Sequence, residues 1–158
     1  MKSTKSLLRA VVFVTIALLA ATFFAQEKPS PLSEEEEGAL GRTRTVNTAE
    51  VTYNMTYTKG YSVNLRVLGE GPKGSPATEK QSGLIAKELA HGKWHNYIYI
   101  YNPGAKDKDG RISAYTMTVR PAKWQKGLVS FFTDQTGVIR WTRENRAPTA
   151  KDEPIDSL

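Results

Sequence analysis

Arg44–Tyr57, RTVNTAEVTYNMTY, is the stretch whose reading decides the fold: it offers small, polar and aromatic residues but no nucleophile, metal cluster or phosphate loop. Its apolar and semi-polar residues recur at helical spacing. Extended backwards and forwards, Ala39, Thr43, Val46, Glu50, Tyr53 and Tyr57 fall on one narrow face, while Arg42, Arg44 and Asn54 point elsewhere. Ser33 supplies an N-cap, Glu36 stands at the third helical position, and Glu34–Glu37 place acids where the helix dipole favours negative charge. The run of acids is thus a charged helix start and not a metal cluster. The pattern predicts a helix from Ser33 to Tyr57 or Thr58, ending at Gly60, with Lys59 near its negative end. Such a helix reaches ~36 Å, and Gly38 and Gly41 are expected to let its first turns fray.

Downstream, Tyr61, Val63, Leu65, Val67 and Leu68 form a short irregular or single-turn plug, and GEGPKGSPATEKQ reads as loop. Ser82–Ala90 reads as a short second helix with Leu84, Ile85 and Leu89 inward and Gly92 beyond its end. From Trp94 the period changes to two. Tyr97, Tyr99 and Tyr101 alternate with Ile98 and Ile100, and Tyr115, Met117 and Val119 alternate with Ala114, Thr116 and Thr118 in a second strand, Ile112–Val119. Leu128–Thr133 and Val138–Thr142, joined through DQTG, form a third and fourth. The expected fold is α+β: a long N-terminal helix packed on a four-stranded antiparallel sheet, with a short second helix.

The chain has 158 residues, 39% of them hydrophobic, which is enough for one domain with a real core. With no cysteine, disulfides, thiolate zinc sites and cysteine nucleophiles are excluded. The formal charge of +6 overstates the basicity of the folded part, because Lys2, Lys5 and Arg9 precede a sixteen-residue apolar run, Ala10–Ala25. Without residues 1–25 the remainder carries 19 cationic and 16 acidic residues, a net +3, and a nucleic-acid partner is not expected. The positive start, the apolar run and the polar, proline-containing sequence that follows are the three parts of a secretory signal. Sixteen helical residues reach ~24 Å, short of the ~30 Å hydrocarbon core, which favours a cleavable signal with removal after Ala25. The expected organisation is a signal peptide at 1–25, a linker at 26–32, a folded domain at 33–146 and a flexible tail at 147–158 that holds two prolines and four charges. The mature protein is expected in the periplasm or outside the cell, touching membrane only through the signal.

Three segments taken in order, RTVNTAEVTYNMTYTKGYSVNLRVLG, SGLIAKELAHGKWHNYIYIYNPGAKDKDGRISAYTM and FFTDQTGVIRW, resemble the globular part of bacterial type IV pilin-like proteins and type II secretion pseudopilins, over about Leu40–Pro154. The resemblance implies that Arg44–Tyr57 is the carboxyl-terminal half of a long scaffold helix on an antiparallel sheet. A pilin also carries a leader ending in glycine, then a long apolar helix with a glutamate near its start. Here the first glycine is Gly38 and the first acid is Glu27, both beyond the apolar run. The expectation is therefore an exported, non-enzymatic pilin-like structural or interaction module that does not polymerise, with pilus or secretion-system proteins as partners. The competing expectation is an autonomous secreted binding domain for polysaccharide or another anionic polymer.

No catalytic, cofactor or metal residue is expected. His91 and His95 lie four apart without a third ligand, and Gly92 stands between them. Asp107 and Asp109 in DKDG have the look of a calcium loop's opening, and the resemblance adds that some pseudopilins bind calcium in sheet loops. Arg111, however, puts a cation where an oxygen ligand is needed, and Thr118 stands at the position of the closing glutamate, so a hairpin turn is expected. Asn54-Met55-Thr56 fits a glycosylation pattern but lies in the helix. No serine sits in a nucleophile-elbow pattern, and Glu50 is expected to bond backbone or a tyrosine hydroxyl and not to act as a general acid. Trp94, Trp124 and Trp141 with Tyr97, Tyr99 and Tyr101 could form an aromatic surface, and Lys93, Lys123, Lys126, Arg140 and Arg143 a basic one, although most of the aromatics are needed for the core.

Overall fold

The computed structural model describes residues 31–158, so the expected signal peptide and most of the linker lie outside the described residues. Helix α1, Glu34–Tyr57, forms where its periodicity predicts. Ser33 accepts from the Glu36 N–H at 3.3 Å while the Glu36 carboxylate accepts from the Ser33 N–H at 2.7 Å, closing a capping box. Thr58 then turns left-handed (φ 56°), and Gly60 (φ 82°) passes so close to Ile112 that a Cβ would lie 2.0 Å from its carbonyl oxygen. Only glycine satisfies both demands at that position. The buried face of α1 runs Glu36, Ala39, Leu40, Thr43, Val46, Ala49, Glu50 and Tyr53.

Two single helical turns follow, α2 at Leu65–Leu68 and α3 at Lys87–Ala90. The sheet is β1 Lys93–Trp94, β2 Tyr97–Pro103, β3 Tyr115–Pro121, β4 Ser130–Asp134, β5 Arg140–Thr142 and β6 Glu153–Pro154, all antiparallel and ordered as in the chain. Tyr97, Tyr99, Met117, Val119 and Phe131 lie buried under α1 with Val129 and Ile139. Tyrosines serve this layer because each hydroxyl reaches a polar atom at its margin: Tyr99 donates to the Ala39 carbonyl, Tyr101 to the Ser62 carbonyl and Tyr115 to Asn47 Oδ1, each at 3.0 Å. Among the described residues no helix is long and apolar enough to cross a membrane.

The sheet corrects the expected four strands to six. The additions are two-residue strands at its edges. A two-residue turn at His95–Asn96, with His95 at φ 46°, folds β1 back on β2, and β6 pairs Pro154 with Arg140 and Glu153 with Trp141. Proline is tolerated there because β6 is an edge. The expected flexible tail at 147–158 is likewise corrected: it contains β6 and a 3₁₀ turn, Ile155–Ser157, and the Ile155 N–H donates to the Ile139 carbonyl at 2.8 Å. The second helix, expected from Ser82, shrinks to Lys87–Ala90 because the residues before it are non-helical, Gly83 left-handed (φ 68°) and Ala86 extended (ψ 156°), in a segment drawn against α2. Ser82 donates to the Val67 carbonyl at 2.9 Å, and Leu84 and Ile85 donate to that of Leu68 at 2.8 and 3.0 Å. At the expected linker's end, Leu32 is buried in the core. The first turns of α1 are pinned as well: the buried Val129 N–H donates to Glu36 at 2.8 Å and the Asn96 N–H to Glu35 at 3.2 Å.

Candidate functional site

The two histidines face different tasks. His91 sets Nδ1 2.7 Å from the Lys87 carbonyl, whereas the His95 ring stacks on Trp94 at 4.1 Å and 8°. Among the described residues no three His, Asp or Glu side chains are grouped to hold a metal ion. Asp107 Oδ1 accepts from the N–H groups of Asp109 and Arg111 at 2.9 and 2.8 Å, so the carboxylate that would open a calcium loop is engaged in shaping a turn.

The aromatic candidates are not gathered into one surface. Tyr97 and Tyr99 are core, and burial pushes the hydroxyls of Tyr97, Tyr99 and Tyr101 well above the ordinary tyrosine range. Trp94 lies across Gly38 of α1, with the Arg42 guanidinium 5.8 Å from its ring; Trp141 sits on β5 under Arg143 at 5.7 Å. Of the basic candidates, Arg143 donates to the Gly127 and Pro31 carbonyls and Arg140 to that of Asp152. Both guanidiniums are thereby holding loops.

Glu50 is fully buried. Its Oε2 accepts from the Ser62 N–H at 2.8 Å and its Oε1 from Ser62 Oγ at 2.5 Å, tying the segment after α1 back to the helix. Burial pushes its carboxyl upward, opposed by these two bonds and by the Tyr101 hydroxyl. The carboxyl, closed off from solvent, is placed to hold the segment after α1 to the helix.

Three surface features stand out among the described residues. On one side of β2, β1 pairs with Tyr97 and Ile98 and the Tyr99 N–H donates to the Gly92 carbonyl at 2.9 Å, so that ladder ends at Tyr99, and Ile98 and Ile100 project from the outer sheet face at 37% and 51% exposure. A cleft of about 580 Å³ separates α1 from the β4–β5 turn, with Arg44 and Asp156 on its walls; the amide of Asn47 in it is engaged by Thr133 and Gly137. A second cleft, of about 460 Å³, lies where α2, the Gly69–Lys73 loop and α3 meet, lined by Arg66, Lys73 and Lys87. None of these three cations was singled out by sequence reasoning; the signal available was the glycine- and proline-rich GEGPKG between two helical turns. Comparison with protein-family models, with curated proteins and with solved structures finds no match.

Proposed function

We propose that the chain is an exported, non-enzymatic interaction module of the pilin-like kind, which does not itself polymerise and which serves a type IV pilus or a type II secretion system in the envelope of a bacterium. The observation that carries this reading is the order of the layers: α1 turns its buried face to the sheet and, at Glu50, to the segment that follows it, and the strands follow as a meander in chain order. The positive and apolar residues at 2–25 support export. With α1 committed to the core, the surface for a partner is the uncovered part of β2. Main-chain donors and acceptors at a strand edge select an extended polypeptide segment, and Ile98 and Ile100 offer it apolar contacts on alternate residues.

The test is a photo-reactive residue at Ile100 in the full chain, expressed in its native envelope, with Met55 on the exposed side of α1 as control. Crosslinks from position 100, and not from 55, to a pilus or secretion-machinery subunit are expected. Equal crosslinking from both positions, none from Ile100, or recovery of the uncleaved chain in sheared fibres would overturn the proposal. The competing polysaccharide or anionic-polymer reading finds a specific observation in its favour in the cation-lined cleft.

A further inference from the structure

The cleft between α2 and α3 is built rather than incidental. Asn64 caps α2 by accepting from the Val67 N–H at 3.2 Å, and Gly69 bridges to Ile85, so the two single turns are held together. Their approach is close: a Cβ on Gly69 would lie 2.6 Å from that of Ala90, and one on Gly71 2.8 Å from Gln81 Oε1. The floor is therefore small-residue backbone, and the lining has no Phe, Tyr, Trp or branched apolar side chain to receive a hydrophobic ligand.

The walls are charged. Arg66, Lys73 and Lys87 face one acid, Glu70, and none of these four takes part in an ion pair among the described residues. Elsewhere the molecule does pair its cations, Lys59 with Glu79 and Arg146 with Glu144 and Asp152. His91 stands at the same rim with its ring held by the Lys87 carbonyl. Three unpaired cations around a recess repel one another, and the recess focuses their combined field on whatever enters it. In open water each contributes only about 1 kcal/mol to an anion at 4 Å, so convergence in one concavity is what makes a site.

We infer that this cleft binds an oxyanion group of the phosphate or sulfate class, either as the free ion or as an ester on an anionic glycan. The inference stands apart from the pilin-like reading, since it uses neither α1 nor the β2 edge.

Calorimetric titration of the full chain with inorganic phosphate, pyrophosphate and a sulfated oligosaccharide, alongside the desulfated sugar, tests it. Saturable binding of at least one charged probe and none of the desulfated sugar is expected. Binding of phosphate or pyrophosphate identifies a free-ion site, whereas binding of the sulfated sugar alone identifies an ester site. The double variant Arg66→Gln/Lys87→Gln should weaken binding about tenfold or more, and Lys73→Gln alone by less. Lys123→Gln/Lys126→Gln, on the loop before β4, should leave it unchanged. All these side chains are exposed, so the variants should keep the native melting point. No saturable binding of any charged probe, or equal weakening by the Lys123/Lys126 pair, would overturn the inference.

Discussion

At Glu50 a fully buried carboxyl is stabilised by two donors from one residue, Ser62, whose hydroxyl also lies 3.1 Å from the Asn64 carbonyl. Burial raises its pKa in the fold above the ordinary 4.5. Below about 4.5 the group is protonated in both folded and unfolded chains. As pH rises through the higher folded value, the unfolded chain loses the proton more readily, so this site's contribution to stability falls. Glu50→Gln removes the ionisation while leaving an oxygen for the Ser62 N–H and an amide that can donate to Ser62 Oγ. Denaturant melts at about pH 4 and about pH 8 should show the variant gaining on the native chain at the higher pH; an unchanged pH dependence would refute the assignment. Glu50→Ala leaves the Ser62 N–H buried and unmet beside a cavity and should cost about 3 kcal/mol at about pH 4 and less at about pH 8. The sequence offers Glu50 a backbone group or a tyrosine hydroxyl as partner; the structure supplies the backbone N–H and the hydroxyl of Ser62, which the sequence does not identify because the turn at Gly60 that brings it back depends on the distant Ile112.

Helix α1 was the most legible element, since its cap, acidic first turn, inward face and glycine stop all lie within one local run. What that run does not disclose is why Gly38 is there. A Cβ at Gly38 would lie 2.1 Å from the Trp94 indole, whereas one at Gly41 meets nothing within 4 Å. Gly41→Ala should therefore stabilise by roughly 0.5–1 kcal/mol through helix propensity alone. Gly38→Ala should instead lose about 1 kcal/mol net, by pushing the indole off the helix, with a red shift of tryptophan emission. Equal gains from the two alanines would show that the Trp94 contact contributes nothing. Strands β2 and β3 are legible from alternation, although β3 begins at Tyr115 and not at the expected Ile112, which bridges Gly60 instead; β1 and β6, at two residues each, are too short to carry a period and arise from turn geometry and tertiary pairing.

Across the whole molecule, the C-terminal segment closes the sheet at β5. Asp152 is its clasp: the carboxylate accepts from Arg146 Nη1 at 2.9 Å and from the Thr149 N–H at 2.6 Å, and the Asp152 carbonyl accepts from Arg140 at 2.9 Å. The Arg146 bond, foremost, holds the Asp152 carboxyl below its ordinary value of 3.8. That contribution is present above about 3.8 and fades as pH falls through the lower folded value. Asp152→Asn should melt below the native chain at neutral pH and converge with it in acid; a constant gap down to strong acid would refute the clasp. Composition read this segment as loose because prolines and charges are counted one by one, and the pairing of Arg146 with Asp152 is a matter of geometry. The cation-lined cleft escaped notice for a related reason. Arg66 and Lys87 are 21 residues apart in sequence, and their helical turns are brought together by the Gly69–Ile85 bridge and the bonds of Ser82, Leu84 and Ile85 to α2. The strand order, finally, has a kinetic meaning. Each strand meets its chain neighbour across a connection of modest length, so the sheet can zip up by short loop closures, whereas the ties of α1 to Asn96 and Val129 span 61 and 93 residues. The first turns of α1 are thus expected to seat after the strands have paired, and until they do the tyrosine layer would stand open to water.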